Sequence, residues 1–143
     1  MLFRSPYTYP TGTTFTGTEG DIEEFRVAYD DSNFYFLIVL AGSPGSTSVP
    51  FSIILIDKDG TDSGRRNVES KTEVNLGTNH AWDFKITANN GNIIVFDTLE
   101  TDVSTGSLLA QNLYQNFIEI SVPVSTLGNP MEAWSFALLQ TLG

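Results

Sequence analysis

Cysteine is absent from the 143-residue chain. That excludes disulfides, thiolate metal ligands and cysteine nucleophiles together. Histidine occurs once, at His80. Zinc chemistry needs several His or Cys ligands, so a zinc centre is not expected. A Ser–His–Asp arrangement needs a histidine to take the serine proton; His80 alone is available, just before a strand, and no Gly-x-Ser-x-Gly elbow occurs. Basic side chains are few, 7 against 17 acidic ones, for a formal charge of −10. Such a surface repels phosphate backbones, which argues against nucleic acid as a partner. No apolar run approaches the roughly 18 residues of a membrane-spanning helix. The longest, Phe34 to Gly42, has the length of a strand. Glycine-rich phosphate loops are missing too, and no local pattern marks the opposed carboxylates of a glycosidase. No catalytic residue is expected.

What the chain does contain is strand-forming sequence. Apolar residues make up 41% and aromatics 12%, enough for a packed core without covalent staples. Helical spacing is not sustained over three turns anywhere. Ser5 to Gly20, with its Gly, Pro and Thr, reads as part of an extended lead-in over 1–20. Phe25, Val27 and Tyr29 then alternate onto one face. Asp30 to Asn33 is a turn cluster. Phe34 to Leu40 returns, apolar on both faces, and is expected at the centre of the fold, covered on each side. Gly42 to Pro50 is a loop, and Phe51 to Asp57 another buried strand. An acidic loop follows over Lys58 to Asn67. Trp82, Phe84 and Ile86 alternate inward, and Asn90-Gly91 predicts a tight hairpin because both residues tolerate positive φ. Ile93 to Phe96, Ser107 to Gln111, Asn116 to Val122 and Ala133 to Leu139 complete the strands. Pro123 to Pro130 is a turn or a single helical turn. The pattern predicts one all-β domain over 1–143, an antiparallel β-sandwich of jelly-roll or immunoglobulin-like type with about 8–10 strands.

Two features could bind something. Asp57, Asp59 and Asp62 lie on one Gly-containing loop (DKDGTDSG) leaving a strand. Calcium takes about six to eight oxygen ligands, and such a loop can offer carboxylates and carbonyls together. Glu69 falls one place too late for an EF-hand and no helix flanks the loop, so any calcium site is of another kind; a solvated acidic turn is the alternative. Exposed aromatics are the second feature, because sugar C–H groups stack on π faces. Tyr7 and Tyr9 stand outside the clear strands, and Tyr114 follows a run of amides. These three and Trp82 are the candidate ligand-binding residues. Core packing is an equally open role for Tyr7 and Tyr9, and the stronger one for Trp82 and Trp134.

Four segments in order resemble a known family. Asp21 to Asp31, followed by Asn33-Phe34-Tyr35-Phe36, is similar to the opening hairpin of DOMON-like and family 9-type carbohydrate-binding domains. Ile53 to Gly64, with Ile56-Asp57-Lys58-Asp59-Gly60, resembles their strand and Asp-x-Asp-Gly segment. Ile118 to Pro123, then Leu127-Gly128 and Trp134-Ser135-Phe136-Ala137, resembles their closing element. Tyr7-Thr8-Tyr9-Pro10-Thr11 ahead of the Asp21 strand narrows this to the C-terminal binding module of glucodextranase and related amylolytic enzymes. Val68 to Thr78 matches nothing in that pattern. The resemblance implies a β-sandwich that binds polysaccharide or cell-wall glycan, often with calcium. It implies an extracellular or cell-surface setting and a parent glycoside hydrolase in the same chain. Abundant Thr, Ser, Asn and Gly lean the same way. Met1-Leu2-Phe3-Arg4 runs straight into Ser5-Pro6-Tyr7 with no signal-peptide pattern, so a secreted parent would make this one segment of a longer chain. Two alternatives stay open: a surface-layer spacer without ligand, and a haem-binding DOMON domain, for which Met131 and His80 are the available ligands.

Overall fold

A computed structural model describes residues 2–4, 21–42, 50–68, 76–77, 79–111, 116–131 and 134–142. Among these residues nine strands and one helical turn occur in the order β1 (Leu2–Arg4), β2 (Ile22–Tyr29), β3 (Asn33–Leu40), β4 (Pro50–Asp57), β5 (Phe84–Asn89), β6 (Asn92–Phe96), β7 (Leu108–Gln111), β8 (Phe117–Pro123), α1 (Val124–Leu127) and β9 (Ser135–Leu142). They build two antiparallel sheets. One has five strands in the order β1-β2-β3-β8-β7, the other four in the order β6-β5-β4-β9. This is the expected β-sandwich. Residues 2–4, expected within the lead-in, instead pair with β2 as an edge strand, Phe3 opposite Val27.

The turns follow from their residue types. Between β2 and β3, Asp30 Oδ1 accepts the backbone N–H groups of Ser32 and Asn33 at 2.7 and 2.8 Å. This Asx arrangement fixes the hairpin, because a short carboxylate reaches donors two and three residues on. Between β5 and β6, Asn90 and Gly91 both have positive φ, 47° and 77°. That matches the twist of the flanking strands, as the Asn-Gly pair predicts.

Period-two alternation sends one row of each strand into the inter-sheet core. Phe34, Phe36, Ile38 and Leu40 of β3 and Ile118, Ile120 and Val122 of β8 face Ile54 and Ile56 of β4 and Ile86 and Ala88 of β5. Phe34 is fully buried and stacks on Trp134, with ring centres 5.1 Å apart and planes 6° apart. Phe136 meets Phe36 edge-on at 6.0 Å. Trp134 is thus core.

Two expectations are corrected. The strand covered on both faces is β4, not β3. Ile53 and Leu55, on the outer face of β4, are sealed by Val68 and Trp82 in a second, smaller core. On β3 only the inward row is sealed; Tyr35 is exposed and Leu37 and Val39 are half-buried. Both strands are apolar throughout, so periodicity alone cannot say which one receives a covering segment. Trp82 also departs from the predicted alternation. It lies in the second core, whereas Phe84 and Ile86 point into the first. The chain bends at Asp83, whose N–H donates to Ile56 O at 2.8 Å, and this breaks the parity before β5 begins.

The bend is held by a short bridge. Arg65 and Trp82 exchange N–H···O bonds of 2.9 and 2.7 Å, and Trp82 Nε1 donates to Asn67 O at 2.7 Å. Glycine is required beside the bridge: a Cβ on Gly64 would sit 2.3 Å from Trp82 O.

Truncating a fully buried aromatic removes its transfer energy and leaves a cavity, so Phe34→Ala is expected to cost about 3–5 kcal/mol. Tyr35→Ala, one residue on but facing outward, should cost far less. Urea unfolding of both variants checks the assignment of the two faces.

Candidate functional site

Among the described residues nothing covers the outward face of the five-stranded sheet. Register aligns Ala28, Tyr35, Ser121 and Leu108 across β2, β3, β8 and β7 in one row. The next row is Arg26, Leu37, Glu119 and Ala110. Together they line a groove of about 630 Å³. Its floor is shallow because small side chains alternate with larger ones. Ala28, Ala110 and Ser121 leave space, while Tyr35 (41% exposed) and Leu108 (69%) rise beside them. Three strand-to-strand steps of about 4.8 Å give it a width of roughly 14 Å, an extended trough rather than a point pocket.

Tyr35 is held in place. Its hydroxyl donates to Asp30 Oδ2 at 2.8 Å and lies 3.5 Å from Asn33 Nδ2. The Asp30 carboxyl is held below the usual range, first by the Asn33 and Ser32 N–H groups and then by the Tyr35 hydroxyl. It therefore stays ionised and keeps accepting from the phenol. At the other side of Leu37, Arg26 Nε pairs with Glu24 at 2.6 Å. A fixed ring beside hydrogen-bonding groups of both kinds can stack on a sugar and exchange hydrogen bonds with its hydroxyls.

The acidic loop forms a second cluster at the end of β4. Carboxylate oxygens of Asp57, Asp59 and Asp83 lie within 4.8 Å of one another. Asp57 Oδ1 accepts the N–H of Gly60 at 2.8 Å and of Asp59 at 3.2 Å, which folds the loop back on itself. Asp59 is held below its usual range chiefly by the Thr61 hydroxyl and N–H and the Ser63 hydroxyl. Asp83 is pushed up, first by burial and then by the charges of Asp59 and Asp57, although the Lys58 N–H donates to it. His80 Nδ1 stands 3.7 Å from Asp57 Oδ2. Oxygen donors so placed fit a hard cation such as calcium better than a softer metal.

The predicted site residues fare unevenly. Of the three loop carboxylates, Asp57 and Asp59 come together. Asp62 does not join them: both its oxygens engage the Arg66 guanidinium fork four residues on. Asp83 takes its place, a residue 21 positions beyond Asp62 that only the Asp83 bend brings back to the loop. Trp82, a candidate stacking ring, is fully buried and offers no face to a ligand. Arg65 and Lys85 flank it at 5.9 and 5.5 Å. Tyr7, Tyr9 and Tyr114 lie outside the described residues. Tyr35 is not among the candidate binding residues that the sequence offers; its polar neighbours in the turn, Asp30 and Asn33, are the available signal. His80 and Met131, the candidate haem ligands, are both exposed.

The described residues form an antiparallel sandwich that covers the outer face of one sheet and leaves the other as a platform. The chain belongs to the family of the C-terminal binding module, SLH-like, of glucodextranase, whose family model matches residues 5–141. No curated protein and no solved structure matches the chain.

The Asp83 shift sets a pH dependence. Its folded pKa is raised above 3.8, so the folded state binds this proton more tightly than the unfolded one. Stability from this group is therefore lost as pH rises from about 4 through the folded value. Asp83→Asn keeps an acceptor for Lys58 N–H and removes the charge. In the absence of divalent cations it should raise Tm at pH 7 and change it little at pH 4, read by calorimetry at both pH values.

Proposed function

We propose that the chain is a non-catalytic carbohydrate-binding or cell-surface-anchoring module of a secreted glycoside hydrolase or surface protein. The observation that carries this reading is the open groove over β2, β3, β8 and β7, edged by a Tyr35 ring whose hydroxyl Asp30 fixes in place. Membership in a family of binding modules supports it. Affinity would come from stacking on Tyr35 and from hydroxyl contacts with Arg26, Glu119 and Ser121. An ordered sheet loses little entropy on binding, so a few contacts suffice. The family's association with glucodextranase supports an extracellular or surface setting and a catalytic partner domain in the same parent chain. Among the described residues no helix is long and apolar enough to cross a membrane.

The test is retention on insoluble polysaccharides and calorimetric titration with soluble ones. Tyr35→Ala should weaken binding by about tenfold or more, the loss of roughly 1.4 kcal/mol that a stacked ring supplies. Tyr35→Phe, which keeps the ring, should retain most of it. Unfolding curves separate this loss from misfolding. A wild-type chain that binds no polysaccharide would leave a ligand-free spacer as the reading.

Calcium at Asp57, Asp59 and Asp83 belongs to the same proposal. The raised Asp83 is the support: a divalent ion there would relieve the mutual repulsion that burial amplifies. These residues would bind it and tie the loop to the start of β5; the ion would supply charge neutralisation. A ligand that binds only the native state must stabilise it. Millimolar calcium should therefore raise Tm in the wild type and have no effect in Asp59→Ala. An unchanged wild-type Tm would remove calcium from the account.

A further inference from the structure

Charge around the groove restricts its ligand further than the reading above, on which this inference rests. Among the described side chains the groove contains one basic group, Arg26, and Glu24 pairs with it at 2.6 Å. Glu119 stands exposed in the same row, one strand beyond Leu37, and none of the described side chains pairs with it. At the Tyr35 end the Asp30 carboxylate accepts the phenol proton at 2.8 Å. Among the described side chains the groove therefore offers two carboxylates, Glu119 within it and Asp30 at its edge, and no uncompensated cation.

We propose that this groove is selective for an uncharged, hydroxyl-rich glycan chain and rejects anionic wall polymers, with Glu119 as the residue that sets the discrimination. The chemistry is direct. A carboxylate has only acceptor sites, about four lone pairs, and matches the O–H donors that a neutral sugar presents in neighbouring pairs. A uronate, phosphate or ketal-linked carboxylate presents acceptors instead. It would lose hydrogen bonds at Glu119 and meet like charge in a partly desolvated trough, where Coulomb energies are several times those in bulk water. Tyr35 works in the same direction. Donating its O–H to a carboxylate makes the ring more electron-rich, which strengthens contact with the partly positive C–H groups of a sugar face and disfavours an anion over the ring. The net charge of −10 adds a long-range repulsion of the same sign.

The experiment uses matched polymers and the whole chain. Dextran, amylose and laminarin are compared with their carboxymethylated forms, and hydroxyethylated forms serve as uncharged controls for bulk. At low salt the wild type should bind at least one neutral glucan and its hydroxyethyl form about equally. Carboxymethylation should weaken that binding by about tenfold, the effect of one like-charge contact near a protein surface. The gap should shrink as salt rises, because exposed charges are screened. Glu119→Gln, exposed and conservative, should narrow the gap at low salt, and Glu119→Lys should reverse it. Tyr35→Ala should weaken the neutral and charged forms alike. Equal or tighter binding of the carboxymethyl polymer, or a gap untouched by Glu119→Gln, overturns this inference and leaves the glycan-binding reading standing. Failure to bind every polymer of either kind overturns both.

Discussion

The stacked contact between Phe34 and Trp134 joins the two halves of the sandwich, and much else depends on the layer it belongs to. Phe34 opens β3 at the first hairpin; Trp134 precedes β9 at the far end of the chain. Their rings lie nearly parallel at 5.1 Å, an arrangement favoured when offset because it keeps quadrupoles from facing each other directly. Lys58 closes the same corner. Its ammonium sits 5.0 Å from the Trp134 ring centre and donates to Leu127 O at 2.7 Å. The start of the acidic loop, the single helical turn and the last strand are therefore pinned to one aromatic pair. A side chain at position 128 would press on this cation, since a Cβ there lies 3.0 Å from Lys58 Nζ.

With that layer in place, the two outer faces of the sandwich have different fates. The four-stranded sheet is covered. Val68 and Trp82 pack on Ile53 and Leu55, and Lys85 is buried with its ammonium 4.9 Å from the Phe96 ring and donating to Val68 O. Burying a lysine is costly unless its donors and charge are met, and the carbonyl and two rings meet them here. The five-stranded sheet has no such cover over Leu37 and its neighbours among the described residues. Its inward row already supplies the apolar burial that β3 and β8 need, so the outward row is free to carry Tyr35, Glu119 and Arg26. Stability then rests on one face of these strands and the proposed recognition on the other.

This division explains what could be read in advance. Alternation and turn chemistry act within a few residues, so the β2–β3 and β5–β6 hairpins, the strand class and the core role of Trp134 were all legible. The acidic loop was legible as a cluster, because Asp57 and Asp59 are close in the chain. Its membership was not. Whether Asp62 or Asp83 completes it depends on Arg66 capturing one and on the bend at Asp83 returning the other, and both are tertiary events. The same bend hid the side on which Trp82 lies. Tyr35 was obscured for a third reason: β3 is apolar on both faces, and an apolar strand gives no sign of which face another segment will cover.

The open face also has a physical rationale beyond being left over. A platform made of paired backbone cannot move far without breaking ladder hydrogen bonds, so its side chains are presented in fixed register. Leu37 separates Arg26 from Glu119 along one row, and the Asp30 turn anchors the ring one row away. A ligand meeting these groups does not have to order them first, which lowers the cost of association. The acidic loop lies elsewhere, at the end of β4, and acts on a different sheet. A cation there would tighten the connection from β4 to β5 without touching Tyr35. Stabilisation by a metal and recognition of a glycan would then be separable properties of one small domain, coupled only through the core that both sheets share.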